Sequence, residues 1–340
     1  MKIRASKIIA LSMVMMGFSC VGVAQMETQF SQYMLNRLSF NPAYAGSSGS
    51  ICATAMYRTQ WIGMQLDPPA PGYEAGALPT NYLFSFDSPV KFLHGGIGLT
   101  VAGEKIGYHD AMSASLDYAF RIYWGPGNLA AAVEASLFNA STDFTQYVGS
   151  DAFTGSYSDP VTDVTDPALA AGEEATDMLI DVSTGVYYQV PGVYYVGFTV
   201  KNVLAAKSDV LKFQNARLLY LMGGYEYTIP ANPSFRLKPS ALIKMADFAT
   251  YQVDVACLLD YQNLFWGGMG YRFQDAVSFL AGFNWKKLRL GLAYDLTTSR
   301  LGNFKSGRSN GTLEAYLRYC FKVIIPQKPP TSYRNTRYLF

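Results

Sequence analysis

The sequence predicts an all-β protein, a transmembrane antiparallel up-and-down β-barrel of about fourteen strands with an N-terminal periplasmic or plug segment. Three observations predict it. Apolar and polar residues alternate with period two along most of the chain. The chain carries 25 Tyr and 21 Phe while only 15% of its residues are charged, and membrane barrels place aromatic girdles at both lipid interfaces. The segments between strands also alternate between short and long, as periplasmic turns and outer loops do.

Residues 1–24 read as a signal peptide. Lys2, Arg4 and Lys7 make a basic start, Ile8 to Val23 is mostly apolar, and Gly22 and Ala24 supply the small residues of a cleavage site. A lipoprotein reading would use Cys20 after Gly17-Phe18-Ser19, but the usual Leu three residues upstream is missing. Cleavage after Ala24 removes three cations and no acid, taking the formal charge from +2 to −1. A near-neutral chain gives no electrostatic case for nucleic acid. The rest divides into an N-terminal plug or periplasmic segment at 25–49, a barrel at 50–321 and a periplasmic tail at 322–340.

Strands are predicted at 50–61, 80–87, 96–104, 111–124, 128–139, 178–189, 193–202, 217–228, 235–245, 251–261, 264–273, 276–285, 287–296 and 311–321. The alternation is plain in three of them. Met112, Ala114, Leu116, Tyr118, Phe120 and Ile122 lie opposite Ser113, Ser115, Asp117 and Arg121. Leu288, Leu290, Leu292, Tyr294 and Leu296 lie opposite Arg289 and Asp295, and Leu313, Leu317, Tyr319 and Phe321 opposite Glu314 and Arg318. Successive strand side chains point to opposite faces, so one face meets lipid and the other a polar lumen. The short connections are Gly125-Pro126-Gly127, Pro191-Gly192, Gln262-Asn263 and the Lys286 region. The long ones are 62–79, 140–177, 203–216 and 297–310, although those near Gly107-Tyr108, Asp247 and Asp275 are short as well. With an even strand count both ends of the barrel lie in the periplasm.

Candidate chemistry is sparse. The loop 140–177 carries Asp143, Asp151, Asp159, Asp163, Asp166, Glu173, Glu174 and Asp177 without Lys or Arg. A Ca²⁺ or partner cap is one reading, but the spacing is not that of an EF-hand loop, and a solvated acidic loop is the plainer one. Cys52, Cys257 and Cys320 are widely spaced and odd in number, which argues against a disulfide framework and matches no metal site. His109 beside Asp110 invites a dyad reading, but no serine-nucleophile motif accompanies it and His94 belongs at the other end of the barrel. No catalytic, cofactor or metal residue is assigned, and the chain reads as no enzyme.

The lumen face collects Arg58, Asp117, Arg121, Glu134, Asp181, Arg236, Lys238, Lys244, Asp254, Arg272, Arg289, Asp295, Glu314 and Arg318. Mixed signs favour ion-pair networks over a single-sign selectivity filter. Glycines at Gly95-Gly96-Gly98, Gly223-Gly224 and Gly267-Gly268-Gly270 are not followed by a helix. They read as bends or as room for a facing aromatic. Pro326, Pro329 and Pro330 keep the basic C-terminal tail out of the ladder.

The most specific stretch is Phe30-Ser31-Gln32-Tyr33-Met34-Leu35-Asn36-Arg37, followed by Phe40-Asn41-Pro42-Ala43-Tyr44-Ala45-Gly46. Its apolar side chains would expose too much surface if left free, so the segment is expected to fold into the barrel mouth or lumen, or against a periplasmic partner. The candidate partner or plug contacts are Phe30, Gln32, Tyr33, Asn36, Asn41, Pro42 and Tyr44, with Arg58, Gln60 and Trp61 in the adjoining strand. Further blocks are Ser85-Phe86-Asp87-Ser88-Pro89, His94-Gly95-Gly96-Ile97-Gly98-Leu99, Glu104-Lys105-Ile106-Gly107 and Leu317-Arg318-Tyr319-Cys320-Phe321.

With these blocks the chain resembles the PorP/SprF family of type IX secretion outer-membrane proteins of the Bacteroidetes. It departs from the family at Arg37, where Pro is frequent nearby, and at Glu104, where Asp is frequent. The resemblance implies a non-enzymatic outer-membrane component of the secretion and gliding machinery. It also implies contacts with periplasmic type IX components, with outer-membrane lipid, and with the C-terminal domain of a secreted surface adhesin that the barrel helps export or anchor. The alternative is a passive outer-membrane porin or solute channel.

Overall fold

The computed structural model describes residues 28–64, 77–143, 174–211, 213–299 and 309–322. The expected signal peptide with Cys20, most of the acidic loop with its Ca²⁺ reading, and the expected tail beyond Lys322 lie outside the described residues. The strands are β1 (Ser50–Thr59), β2 (Ala77–Val90), β3 (Gly95–Gly107), β4 (His109–Trp124) and β5 (Gly127–Asp143). They continue with β6 (Glu174–Val190), β7 (Tyr194–Lys201), β8 (Leu218–Tyr225), β9 (Tyr227–Thr228) and β10 (Phe235–Ala246). The last are β11 (Thr250–Tyr261), β12 (Phe265–Arg272), β13 (Ala276–Trp285), β14 (Leu288–Thr297) and β15 (Thr312–Lys322).

Each strand pairs antiparallel with its sequence neighbour, and β10 pairs with β8, β9 and β11. At Glu226, between β8 and β9, the N–H turns to Val193 O at 2.7 Å, so the two segments form one stave. The fifteen segments are thus fourteen staves. The ring closes where β1 meets β15 over ten register pairs, from Ser50↔Lys322 to Thr59↔Leu313. Closure removes the unpaired edges that an open sheet would present to lipid. No helix among the described residues is long and apolar enough to cross a membrane, so strands are the crossing elements.

The predicted strand set matches these staves, but β5 and β6 run further than expected. Their ladder continues to the pair Asp143↔Glu174. Asp143, Glu174 and Asp177 therefore sit on strands rather than in the loop that the acidic composition suggested. Backbone pairing does not depend on an apolar face, so the ladder outlasts the hydrophobic alternation. The hairpin between β11 and β12 turns on Gln262 and Asn263, both with positive φ, and is closed by the Leu264 N–H donating to Tyr261 O at 2.9 Å.

Alternation is visible along every long stave. In β11 the even positions from Asp254 to Asp260 are buried and the odd positions from Val255 to Tyr261 are exposed. Leu116, Phe120, Phe198, Phe279 and Leu292 stand on the outer face. Exposed aromatics gather at both ends, with Tyr123, Trp124, Phe265 and Trp285 at the end where β1 begins and β15 finishes. Tyr57, Phe248, Tyr251 and Phe273 gather at the opposite end. We call these the terminal end and the loop end. Two aromatic belts around an apolar band are the surface of a protein that sits in a bilayer.

The expectation against a disulfide is overturned for one pair. Cys52 and Cys320 are bonded across β1 and β15, with Cα atoms 4.1 Å apart and a separation of 268 positions in sequence. Spacing along the chain conceals this, because only ring closure makes them register partners. Cys257 is free and exposed on β11.

Candidate functional site

The candidate site is built on the segment that precedes β1. Its sequence is a run of tight turns. Asn41 caps the 3₁₀ turn Pro42–Tyr44, its side chain accepting from Ala43 N at 2.9 Å. Pro42 at the first position needs no N–H there. Asn36 Nδ2 donates to Ser39 Oγ at 2.9 Å, and the Leu35 N–H donates to Gln32 O at 2.9 Å. One side-chain amide, at Asn41, and tight backbone turns thus satisfy local backbone groups in place of a ladder. Phe30, Tyr33, Met34, Leu35, Leu38, Phe40 and Tyr44 are all buried.

The segment's polar contacts reach staves on every side of the ring. Glu314 on β15 accepts the N–H groups of Ser31 at 2.7 Å and Gln32 at 2.9 Å. Ser31 Oγ donates to Asp295 on β14 at 2.5 Å. Arg58 on β1 donates to Gln29 O and pairs with Asp295 at 3.3 Å. Tyr33 OH donates to Ser240 O on β10 at 3.0 Å. Burial pushes the Tyr33 hydroxyl above its ordinary range, so it remains a neutral donor. Asn41 Nδ2 donates to Val186 O on β6 at 3.0 Å. Near the start of β1, Arg121 on β4 donates to Ala45 O at 2.8 Å and Gly46 O at 3.1 Å. Arg318 on β15 donates to Tyr44 OH at 3.2 Å and pairs with Asp87 on β2 at 3.4 Å.

The wall makes room for these contacts. A Cβ at Gly185 would come within 2.7 Å of Asn41 Oδ1, and one at Gly197 within 2.6 Å of Asn41 Nδ2. Both glycines are the backbone complement of a single asparagine. Arg37, half-buried, places its guanidinium 3.7 Å from the centre of the Tyr195 ring and donates to Tyr187 OH at 3.1 Å.

Of the residues singled out in the sequence, Phe30, Gln32, Tyr33, Asn36, Asn41, Pro42, Tyr44 and Arg58 are buried. Gln60 and Trp61 are not brought to the segment. Their N–H groups donate to Pro79 O at 2.8 Å and Thr312 Oγ1 at 3.3 Å, at the loop end of β1. Asp87, Tyr187, Tyr195, Ser240 and Tyr316 also touch the segment. Asp87 falls in the block 85–89 noted in the sequence, but nothing local marks Tyr187, Tyr195, Ser240 and Tyr316, because each is an ordinary inward position of its own strand.

The inward charges pair as mixed signs suggest, with exceptions. Lys244 and Arg272 meet Asp254 at 2.8 and 3.4 Å. Lys201 meets Glu134 at 3.8 Å, and Arg236 and Lys238 meet Asp260 at 2.9 and 3.2 Å. Asp181 instead accepts the N–H groups of Leu204 at 3.0 Å and Ala206 at 3.1 Å, anchoring the connection after β7. Asp117 stands opposite Glu134 in register, and neither of its oxygens accepts a hydrogen bond among the described residues.

His109 and His94 lie at opposite ends. His109 Nδ1 is 2.8 Å from Thr142 Oγ1, while Asp110 pairs with Lys105 at 3.3 Å. Among the described residues no group of three or more His, Cys, Asp or Glu is arranged to hold a metal ion.

Two cavities flank the segment. The larger, about 470 Å³, opens toward the loop end and is lined by Phe30 and Phe40 of the segment with Phe138, Phe213, Glu134 and Lys201 of the wall. The smaller, about 80 Å³, lies toward the terminal end beside Met34 and Arg37.

Comparison with known proteins adds the family. No curated protein matches the chain. Among solved structures, the outer membrane protein Omp33 of Acinetobacter baumannii aligns at 7% identity with a TM-score of 0.41, over 80% of this chain and 99% of that one. A FadL homologue of Pseudomonas aeruginosa aligns at 10% identity with a TM-score of 0.43, over 82% and 92%. CdiB of Acinetobacter baumannii aligns at 8% identity with a TM-score of 0.35, over 80% and 60%. The sequence model of the type IX secretion system membrane protein PorP/SprF matches residues 22–319. That span takes in the buried segment and nearly all of the closed, lipid-faced ring. The barrel is therefore an outer-membrane protein, and the chain belongs to the PorP/SprF family of the type IX secretion system.

Proposed function

We propose that this barrel serves type IX secretion by holding protein rather than by passing solutes. In this reading residues 28–47 are a plug, and the cavity above it receives a segment of a secreted surface adhesin, such as its C-terminal domain. The barrel supports that adhesin's export or its anchoring at the cell surface. The terminal end faces the periplasmic type IX components, and the longer connections face outward. The work is done by protein–protein contact and not by catalysis.

One observation carries the reading. The segment bonds to β1, β4, β6, β10, β14 and β15, staves spread around the whole ring. A segment tied on all sides leaves little free lumen for solutes. The paired state of most inward charges points the same way, since a conducting filter needs exposed charge.

Conductance in planar bilayers tests the plug. The intact protein is expected to give no steady channel, and a variant lacking residues 28–47 is expected to conduct. A large, steady conductance from the intact protein would instead support the porin. Surface display tests the client role. Cells lacking the barrel are expected to lose a surface adhesin that co-purifies with it. Normal display together with recovery of the barrel alone from native membranes would exclude that role.

A further inference from the structure

The smaller cavity is chemically lopsided. It lies between Met34, Leu35 and Arg37 of the buried segment and the terminal-end half of β8, β10, β11, β12 and β14. Its two acids are already engaged. Asp260 receives Arg236 at 2.9 Å, Lys238 at 3.2 Å and the Asn263 N–H at 3.0 Å. Glu226 lies 3.9 Å from each of the same two cations.

Two guanidinium groups remain without a counter-charge. Arg289 donates through Nε to the neutral Asn284 Oδ1 at 2.7 Å, and no carboxylate lies within 4.0 Å of it among the described residues. Its register partner on β15 is Arg318, another cation, which is turned toward Tyr44 and Asp87. Among the described residues Arg37 has only neutral partners, the Met34 carbonyl at 3.1 Å, the Tyr187 hydroxyl and the Tyr195 and Tyr44 rings. On the same cavity, Trp266 is buried and its indole N–H finds no acceptor among the described residues. A buried donor without an acceptor calls for an explanation, and here it lines the same cavity as two cations.

We propose that this cavity is an oxyanion subsite, taking a carboxylate or phosphate between Arg37, Arg289 and the Trp266 N–H. Guanidinium groups match the oxygens of such groups with charge-assisted hydrogen bonds. About 80 Å³ admits one small oxyanion or a few waters, and not a nucleotide. The anion arrives either as a free solute or as the acidic side chain of a protein segment docking on the terminal end. The subsite does not depend on the adhesin reading, because it concerns the opposite cavity.

Trp266 is a built-in reporter. In the intact protein with Trp61→Phe, Trp124→Phe and Trp285→Phe, its fluorescence is followed while sodium phosphate or sodium acetate replaces sodium chloride at constant ionic strength. A second arm adds a glutamate-bearing hexapeptide against its glutamine counterpart. A saturable shift is expected, with affinity at least tenfold weaker in Arg289→Gln and unchanged in Lys105→Gln at the far end. Arg37→Gln gives a second measurement if Arg289→Gln fails to insert. A response to free anions assigns the site to a solute, and one to the acidic peptide alone assigns it to a protein partner. No saturable response in either arm, or an undiminished one in a folded Arg289→Gln or Arg37→Gln variant, overturns the proposal.

Discussion

Arg58 illustrates what an inward charge does at the scale of one residue. It is buried beside Asp295 and reaches the backbone of the preceding segment at Gln29. A buried pair is no bargain relative to an apolar one, but removing one partner leaves the other charge stranded. Arg58→Ala should therefore lower stability by about 3–5 kcal/mol, read as the urea midpoint in detergent micelles. Lys105→Ala, which breaks an exposed pair with Asp110, should cost less than about 1 kcal/mol. Equal losses would mean that Arg58 is solvated. Gly197→Ala tests the backbone niche of Asn41. The added methyl would meet Asn41 Nδ2 and the Tyr187 ring, an overpacking worth about 1–3 kcal/mol. Faster deuterium exchange across residues 30–46 is expected in that variant, with the staves unaffected.

At the scale of elements, the seam between β1 and β15 matters most. Ten register pairs, the Cys52–Cys320 bond and the grip of Glu314 on Ser31 and Gln32 all fall on it. The disulfide restricts the unfolded chain across 268 residues. Losing it through Cys52→Ser with Cys320→Ser should cost about 2–5 kcal/mol. The barrel should still form, because the ladder does not need the bond. A heat-modifiable gel band that persists at a lower melting temperature is the expected readout; complete loss of the band would mean that the bond directs closure. Alternation and turn chemistry made nearly every stave readable in advance. Where they misled was at the edges of the acidic loop, since Asp143↔Glu174 pairing relies on backbone groups that carry no side-chain signature.

For the whole molecule, topology follows from the fourteen staves, which bring Ser50 and Lys322 to one end. In a Cys257→Ser background, a cysteine introduced by Phe248→Cys at the loop end should react with an impermeant maleimide on intact cells. One introduced by Lys286→Cys at the terminal end should not. The reverse pattern would invert the barrel and, with it, the proposed direction of both cavities. The same whole-molecule view explains which of the candidate contacts meet. Arg58 and the buried turns converge because a closed ring folds its first strand around its own leader, while Gln60 and Trp61 have already risen to the loop end.

Local chemistry in the sequence was enough to determine the barrel, its stave count and the inward charges, because a strand writes its two faces into every second residue. Family membership rests on sequence in the same way. Ring closure alone decided the disulfide, the matching of Gly185 and Gly197 to Asn41, and the convergence of Arg37, Arg289 and Trp266 on one cavity. Those pairings join residues far apart along the chain, and no periodicity encodes which side chains closure will bring together.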